Sequence, residues 1–275
     1  MDDFFKIIIN CRDEELEDII KERMMELESS VSTDRKIIVP NERTYEYGSY
    51  YKGFIKSDVK IYFSMEFIPN VCYSLANYDY AISFFKKVKE LGIKNKLDVI
   101  KYLSSFMDDY FGYFCGDDKR EQFLLQYNGG ATIDCFKGTN LAACSERAAI
   151  TNNVLEMIGI KSIYVTGTVN GEQHAFNIII NNNGQYYLLD TAFNCTLYDE
   201  RNKVLGTVPF FYSLGVMNEQ LEQFLMYNKS LRFYDRIARK NAVGVIKYEN
   251  NAQFRKYSIE PILLEDNKTR SRYIF

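Results

Sequence analysis

The chain has 275 residues and a formal net charge of −3, with 34 basic and 37 acidic side chains. This length can bury the core of one large domain or of two small ones. The near balance of charges excludes the global basic field that attracts nucleic acids, and a hydrophobic content of 47% with 15% aromatic residues excludes a disordered chain.

The first half of the chain is predicted to be mainly helical. The ranges with helical periodicity are 13–28, 77–91, 96–111 and 119–127. Strand-like runs lie at 36–39 and 59–63. Asn128-Gly129-Gly130 ends the last of these helices, and a domain boundary is expected around 115–130.

The second half is predicted to combine one helix with antiparallel strands. A helix is expected from Leu141 to Met157, ending at Gly159. The expected strands are 162–169, 175–180, 185–189, 206–212 and 242–248, and a second helix is expected at 217–227. Asn170-Gly171 and the turn 181–184 are typical of hairpins.

The start of the chain and the pattern of its cysteines indicate in which cellular compartment the protein is expected. The acidic start, residues 1–6, does not resemble a secretory signal, and no stretch approaches the ~18 apolar residues of a membrane helix. Six cysteines occur without a C-x-x-C pair, so reduced thiols are expected. We expect a cytoplasmic protein with no membrane or nucleic-acid partner; a secreted effector without a standard signal peptide is the alternative.

Cys144 is the candidate nucleophile. It lies near the start of the helix predicted over 141–157, where Asn140 or Thr139 could serve as the N-cap. The helix macrodipole favours anions at this end, so it favours a thiolate over a thiol.

His174 is the single histidine of the chain, which excludes a two-histidine metal site. It lies on one arm of the hairpin around 181–184, and Asp190 lies on the other arm at a similar distance from the turn. Antiparallel pairing would bring the two side chains together, with Asp190 orienting the imidazole and the second ring nitrogen left for Cys144.

Each of these residues also has a structural interpretation. A lone cysteine on an apolar helix stripe is often a small core residue, and an aspartate beside Thr191 could merely hold a turn. A zinc site at Cys144, His174 and Asp190 would need a fourth ligand, which no motif supplies. The calcium-loop pattern is absent as well, so no metal and no cofactor are expected.

Three motifs in order resemble the transglutaminase-like superfamily. Residues 144–148, Cys-Ser-Glu-Arg-Ala, followed by Leu155 and Gly159-Ile160, resemble its Cys-x-Asp/Glu-x-Ala…Leu-x-x-x-Gly-Ile pattern. His-Ala-Phe-Asn at 174–177 and Leu-Asp-Thr at 189–191 resemble the patterns around the family's histidine and aspartate. The match covers about residues 130–195. It departs at Ala142, where the family usually has glycine, and at Phe176, where it often has tryptophan.

The resemblance implies an α+β protein with a papain-like core, in which a helix bearing the nucleophile packs on an antiparallel sheet. Residues 1–115 would be a mixed accessory region and 116–275 the catalytic domain, or the chain would form one domain. The implied activity is acyl transfer on amide bonds of protein or peptide substrates through a Cys144 thioester. The outcome would be peptide hydrolysis, glutamine deamidation or transamidation.

The alternative function is a non-catalytic protein-binding module of the same fold; a bacterial effector that modifies a host protein would share the chemistry. No motif places the oxyanion side chain. The candidates are Asn140, Gln126 and Tyr127, in addition to the Cys144 backbone N–H. Glu146 is expected to support the fold, for example by pairing with an arginine. Cys135 and Cys195 are expected to be structural thiols, with a pocket residue as the alternative for Cys195.

Overall fold

The computed structural model describes residues 4–30, 50–62, 71–127, 130–169, 172–182, 184–198, 204–216, 247–249 and 252–254. Several sequence predictions therefore fall outside the described residues. They are the strand at 36–39, the helix at 217–227, the turn at Asn170-Gly171 and most of the strand at 242–248.

Six α-helices and one 3-10 turn occur in the described ranges. They are α1 (Phe4–Asn10), α2 (Leu16–Ser30), α3 (Asp79–Glu90), α4 (Lys96–Phe111), α5 (Asp117–Leu124), the 3-10 turn Ile133–Phe136 and α6 (Cys144–Met157). The helices predicted over 13–28, 77–91, 96–111 and 119–127 are confirmed to within a few residues. Helix α1 was not predicted, because a seven-residue helix is too short to display its periodicity.

The described strands form three sheets. Their bounds are β1 (Tyr50–Lys52), β2 (Ile61–Tyr62), β3 (Cys72–Ser74), β4 (Ala131–Thr132), β5 (Lys161–Val169), β6 (Glu172–Ile180), β7 (Gln185–Tyr198), β8 (Val204–Val216), β9 (Lys247–Glu249) and β10 (Ala252–Phe254). The main sheet has the order β1-β5-β6-β7-β8 and all its neighbours are antiparallel. The predicted α+β class with an antiparallel sheet is thus confirmed.

The turn between β6 and β7 fixes the register of the sheet around the candidate site. Asn181 Oδ1 accepts the Gln185 N–H at 2.8 Å, and Gly184 has φ 74°, a conformation that favours glycine. Beyond this turn Asn177 pairs with Leu189. Strand β7 then continues to Tyr198, well past the predicted end at 189, with an irregularity between Asp190 and Asn194.

Helix α6 lies at the centre of the molecule. Every residue from Glu146 to Leu155 is buried, and the helix contacts β5, β6 and β7 of the main sheet as well as α2 and α3. Two of its buried amides bond neighbouring backbone. Asn153 bonds both the N–H and the C=O of Ile55, at 2.8 and 2.9 Å, and Asn152 donates to Gly53 O at 2.7 Å.

One hydrophobic core joins the two halves of the sequence. It contains residues of α1–α4, such as Phe84, together with α6 and residues of the sheet such as Leu189. Strand β1 also pairs with β5 across the predicted boundary at 115/116, through Tyr51 and Tyr164. The division into two domains stays a prediction. No helix within the described ranges is both long enough and apolar enough to cross a membrane.

Candidate active site

Cys144 is the first residue of α6. The predicted cap was wrong: the N-cap is Ala143, and the Glu146 carboxylate accepts the Ala143 N–H at 2.8 Å. Asn140 precedes the helix in a left-handed conformation with φ 62°. Thr139 is bound to its own turn, since its hydroxyl accepts the Leu141 N–H and donates to Phe136 O. The helix therefore starts three residues later than expected, with Cys144 in its first turn.

The setting of Cys144 combines partial exposure with a polar helix end. The side chain is half-buried and packs against the hydrophobic core. Amides in the first turn of a helix have no intrahelical acceptor, so they and the macrodipole favour negative charge nearby.

His174 and Asp190 form a buried pair on β6 and β7. The His174 Nε2 lies 2.6 Å from Asp190 Oδ2, with side-chain exposures of 9% and 1%. The second oxygen, Oδ1, accepts the Ala192 N–H at 2.9 Å, and the Phe176 ring stacks near the imidazole at 6.4 Å between centroids. Both carboxylate oxygens are therefore engaged, and the imidazole is held in one orientation. The expected proximity of the two side chains is met.

The imidazole also contacts Cys144. The Cys144 side chain is close enough for its charge to act on His174, and because Asp190 occupies Nε2, Nδ1 is the ring nitrogen left for it. Burial lowers the pKa of His174, but the interactions of the ring with Asp190 and Cys144 outweigh burial and raise it to about 10. At neutral pH the ring is therefore an imidazolium.

The geometry does not support the alternative of a zinc site at Cys144, His174 and Asp190. Asp190 directs its oxygens to the imidazole and to the Ala192 N–H. In the parts of the chain that the structure describes, no group of three or more His, Cys, Asp or Glu side chains is arranged to hold a metal ion.

Two buried ion pairs flank the first turn of α6. Arg120 on α5 donates to Glu146 at 2.7 Å, with both side chains almost fully buried; the expected pairing of Glu146 with an arginine is confirmed. Arg147 donates to Asp108 at 2.7 Å and to Gly112 O at 2.9 Å, which ties α6 to the end of α4. Arg120 had no sequence signal of its own, although a buried glutamate beside a nucleophile implies a nearby cation.

A cluster of hydroxyl groups lies near Cys144. The Tyr73 hydroxyl and Ser145 Oγ are 2.8 Å apart, and the buried Tyr164 phenol lies close to the same serine. Burial is the main cause that raises the pKa of Tyr164, and the charge of Cys144 adds to it. Tyr73 and Tyr164 were missed from sequence, because tyrosines in strands carry no motif that separates them from ordinary core residues.

The three oxyanion candidates have contacts elsewhere. The Asn140 side chain lies so close to Gly112 that a Cβ there would come within 1.8 Å of its Oδ1. Tyr127 hydrogen-bonds with Cys135, whose pKa burial raises to about 12. Gln126 is exposed after the end of α5. None of these described contacts involves Cys144, and their roles stay predictions.

Cys135 and Cys195 were both expected to be structural thiols. The raised pKa of Cys135 fits a half-buried, unreactive thiol. Cys195 lies on β7 opposite Val208, and its expected role stays a prediction.

Comparison with known proteins gives no match. No family model, no curated protein and no solved structure matches this chain significantly. The resemblance to the transglutaminase-like superfamily therefore rests on the three motifs, and any function must be argued from the geometry of the site.

Proposed function

We propose that the chain is a cysteine-dependent acyl-transfer enzyme that acts on amide bonds of cytoplasmic protein or peptide substrates. The observation that carries the proposal is one imidazole between two partners: Asp190 at 2.6 Å from Nε2, and the Cys144 side chain, which lies close enough to act on the same ring. These are the contacts that an activated nucleophile requires. The order of nucleophile helix, histidine strand and aspartate strand supports a transglutaminase-like, papain-like core.

The chemistry begins at the Cys144 sulfur. The thiolate attacks the substrate carbonyl carbon, the C–S bond forms, and the carbonyl oxygen becomes an oxyanion. The His174 imidazolium gives its proton to the amide nitrogen, the C–N bond breaks, and an amine or ammonia leaves a thioester on Cys144. Water or a second amine then attacks the thioester while the neutral imidazole accepts its proton. Release of the acid or of the new amide restores the thiolate and the imidazolium.

The charges around the imidazole support these steps. Because the pKa of His174 is about 10, its ring is protonated at neutral pH and can donate the proton that the leaving nitrogen needs. Asp190 orients the ring through Nε2 and stabilises its charge. The backbone N–H of Cys144 is a better hydrogen-bond donor to the oxyanion than that of Ala143, because the Ala143 N–H already donates to Glu146.

A protein-binding module without chemistry is the second candidate. The observation that favours it is the low exposure of the pair, 9% for the His174 side chain and 1% for Asp190. A buried histidine–carboxylate pair can serve the fold alone. This alternative does not explain why Cys144 lies close enough to His174 to act on the imidazole.

A trapping experiment separates the two candidates. Cys144→Ala is used to capture a substrate, which is then incubated with wild type while peptide hydrolysis, ammonia release and amine incorporation are measured. The enzyme proposal expects turnover by wild type, at least about 10³-fold less with Cys144→Ala, and full turnover with Cys115→Ala, which removes an exposed thiol. Equal cellular function of wild type and Cys144→Ala would contradict the enzyme and favour the binding module.

A further inference from the structure

Arg120 and Glu146 both hydrogen-bond the backbone of the segment that precedes Cys144. One guanidinium nitrogen of Arg120 donates to Glu146 Oε1 at 2.7 Å, and another donates to Leu141 O. The second Glu146 oxygen accepts the Ala143 N–H at 2.8 Å. A single ion pair therefore fixes a carbonyl and an amide within three residues before the nucleophile.

We propose that Arg120 and Glu146 form a charge-neutral buried clamp that sets the position and the reactivity of the Cys144 thiol, with Arg120 as a positioning residue. The inference rests on the proposed function, because it concerns the activation of the same nucleophile. It assigns a role to a residue from α5 that no motif identified.

The charges of the clamp act on Cys144 in opposite directions. Glu146 lies in the same helical turn, and its carboxylate alone would disfavour a thiolate. Arg120 is close enough for the charge of Cys144 to contribute to raising its pKa: burial lowers that pKa, but Glu146 and Cys144 outweigh burial. Because both partners are almost fully buried, water screens these interactions little.

Several elements contribute charged or titratable groups around the clamp and Cys144, and Arg147 of the same helical turn is paired with Asp108. The charged or titratable neighbours of Cys144 include His174, Tyr164, Arg120 and Glu146. On the clamp they are Cys144, Tyr73, Tyr164 and Cys135. Burial raises the pKa of both tyrosines and of Cys135, so these neighbours are neutral near pH 7.

A role in stability alone is a weaker explanation for the clamp. Burying an ion pair removes two charges from water, and apolar residues of similar volume are often as stable or more so. The Arg120 guanidinium already stacks over the Phe136 ring at 5.2 Å in an apolar environment. A buried pair beside the nucleophile is better explained by its effect on the thiol.

The test is the pH profile of Cys144 alkylation by iodoacetamide, followed by peptide mapping of the full chain. Glu146→Gln keeps an acceptor for the Ala143 N–H but removes the negative charge, so the midpoint of the profile should fall by about one pH unit. Arg120→Met leaves Glu146 uncompensated, so the midpoint should rise by about one unit. Arg120→Lys restores the charge and should return the midpoint towards wild type.

Loss of one partner of a buried pair can unfold a protein, so circular dichroism accompanies each profile. If the single variants do not fold, the double variant R120M/E146L replaces both charges by apolar groups. Iodoacetamide should alkylate Cys144 of this variant at least fivefold more slowly at pH 7. The reason is that the Leu141 C=O and the Ala143 N–H lose their hydrogen bonds to the clamp. An unchanged rate in that variant, or superimposed profiles in folded single variants, would overturn the clamp alone. Absence of selective Cys144 labelling in the wild type would overturn the proposed function and the clamp with it.

Discussion

The first turn and the middle of helix α6 are held by different kinds of contact. Around the first turn the contacts are charged: Glu146 pairs with Arg120, and Arg147 pairs with Asp108. In the middle of the helix, at Thr151 and Asn153, the contacts are neutral. Thr151 lies 3.2 Å from the Thr191 hydroxyl, and Asn153 bonds the backbone of Ile55 and the Tyr80 hydroxyl.

The difference separates reactivity from stability. Neutral hydrogen bonds between amides and hydroxyls fix the helix among its neighbours and have no charge to change with pH. The charged pairs of Glu146 and Arg147 lie near Cys144, where they act on a thiol and an imidazole. Substitutions in the first turn and at its partners should therefore change chemistry, whereas those at Thr151 and Asn153 should change the free energy of unfolding alone.

The largest effect is expected at Asp190. Asp190→Asn is nearly isosteric and keeps an acceptor for the Ala192 N–H, so the fold should persist. Turnover should fall by about 10²- to 10⁴-fold, because the amide favours the wrong imidazole tautomer. The measurement is kcat with the trapped substrate, beside a thermal melt. Asp134→Asn is the matched control, since Asp134 accepts from Tyr110 away from this imidazole; an equal loss there would contradict the assignment.

Asn153→Ala tests the neutral contacts in the middle of α6. The substitution leaves the N–H and C=O of Ile55 without their side-chain partner, so the free energy of unfolding should fall by about 2–4 kcal/mol. Selective alkylation of Cys144 should not change in the folded variant. Chemical denaturation measures the first quantity and peptide mapping the second. Asn10→Ala removes an exposed local bond to Lys6 and should be almost neutral. Lost selectivity in folded Asn153→Ala would contradict the distinction between the first turn and the middle of the helix.

The pH dependence of stability tests the charge on His174. Because its folded-state pKa is raised to about 10, the protonated ring contributes stability that is fully present below the unfolded value near 6.5 and is lost as the pH rises through 10. The stability difference between wild type and His174→Gln should therefore shrink by about 1–3 kcal/mol from pH 6.5 to pH 10. Urea unfolding at several pH values measures it. A difference independent of pH would mean that the imidazole is neutral in the fold.

The smallest effect is expected at Thr151. Thr151→Val removes one hydroxyl of the buried pair with Thr191. The free energy of unfolding should fall by about 0.5–1.5 kcal/mol, with no change in Cys144 labelling. Thr151→Ser keeps the hydroxyl and serves as the control in the same denaturation experiment. A loss above about 3 kcal/mol for the valine variant would show that this contact is more than one hydrogen bond.

Local patterns predicted the elements that depend on local interactions. Helix α4 has the bounds expected from sequence, since periodic apolar residues follow an Asn95 cap that accepts the Asp98 N–H at 2.9 Å. The hairpin of β6 and β7 followed from its Asn/Gly turn. The proximity of His174 and Asp190 came from counting along that hairpin.

Features that depend on distant partners were not predictable in the same way. The start of α6 was placed too early because the helix is capped by Glu146 from within and not by Asn140. The end of β7 was placed too early because its pairing with β8 continues past the irregularity at Asp190. Arg120 and Tyr164 reach Cys144 only through the tertiary fold, so no local pattern marks them.

Brief alkylation with iodoacetamide at about pH 6 tests the activation of Cys144 most directly. Peptide mapping then compares its rate with those of the other five cysteines. The account predicts that Cys144 reacts far faster than the rest, because His174 and the first turn of α6 favour its thiolate. His174→Ala should remove this selectivity while the protein stays folded. Uniform labelling of the six thiols, or no labelling at Cys144, would contradict the account.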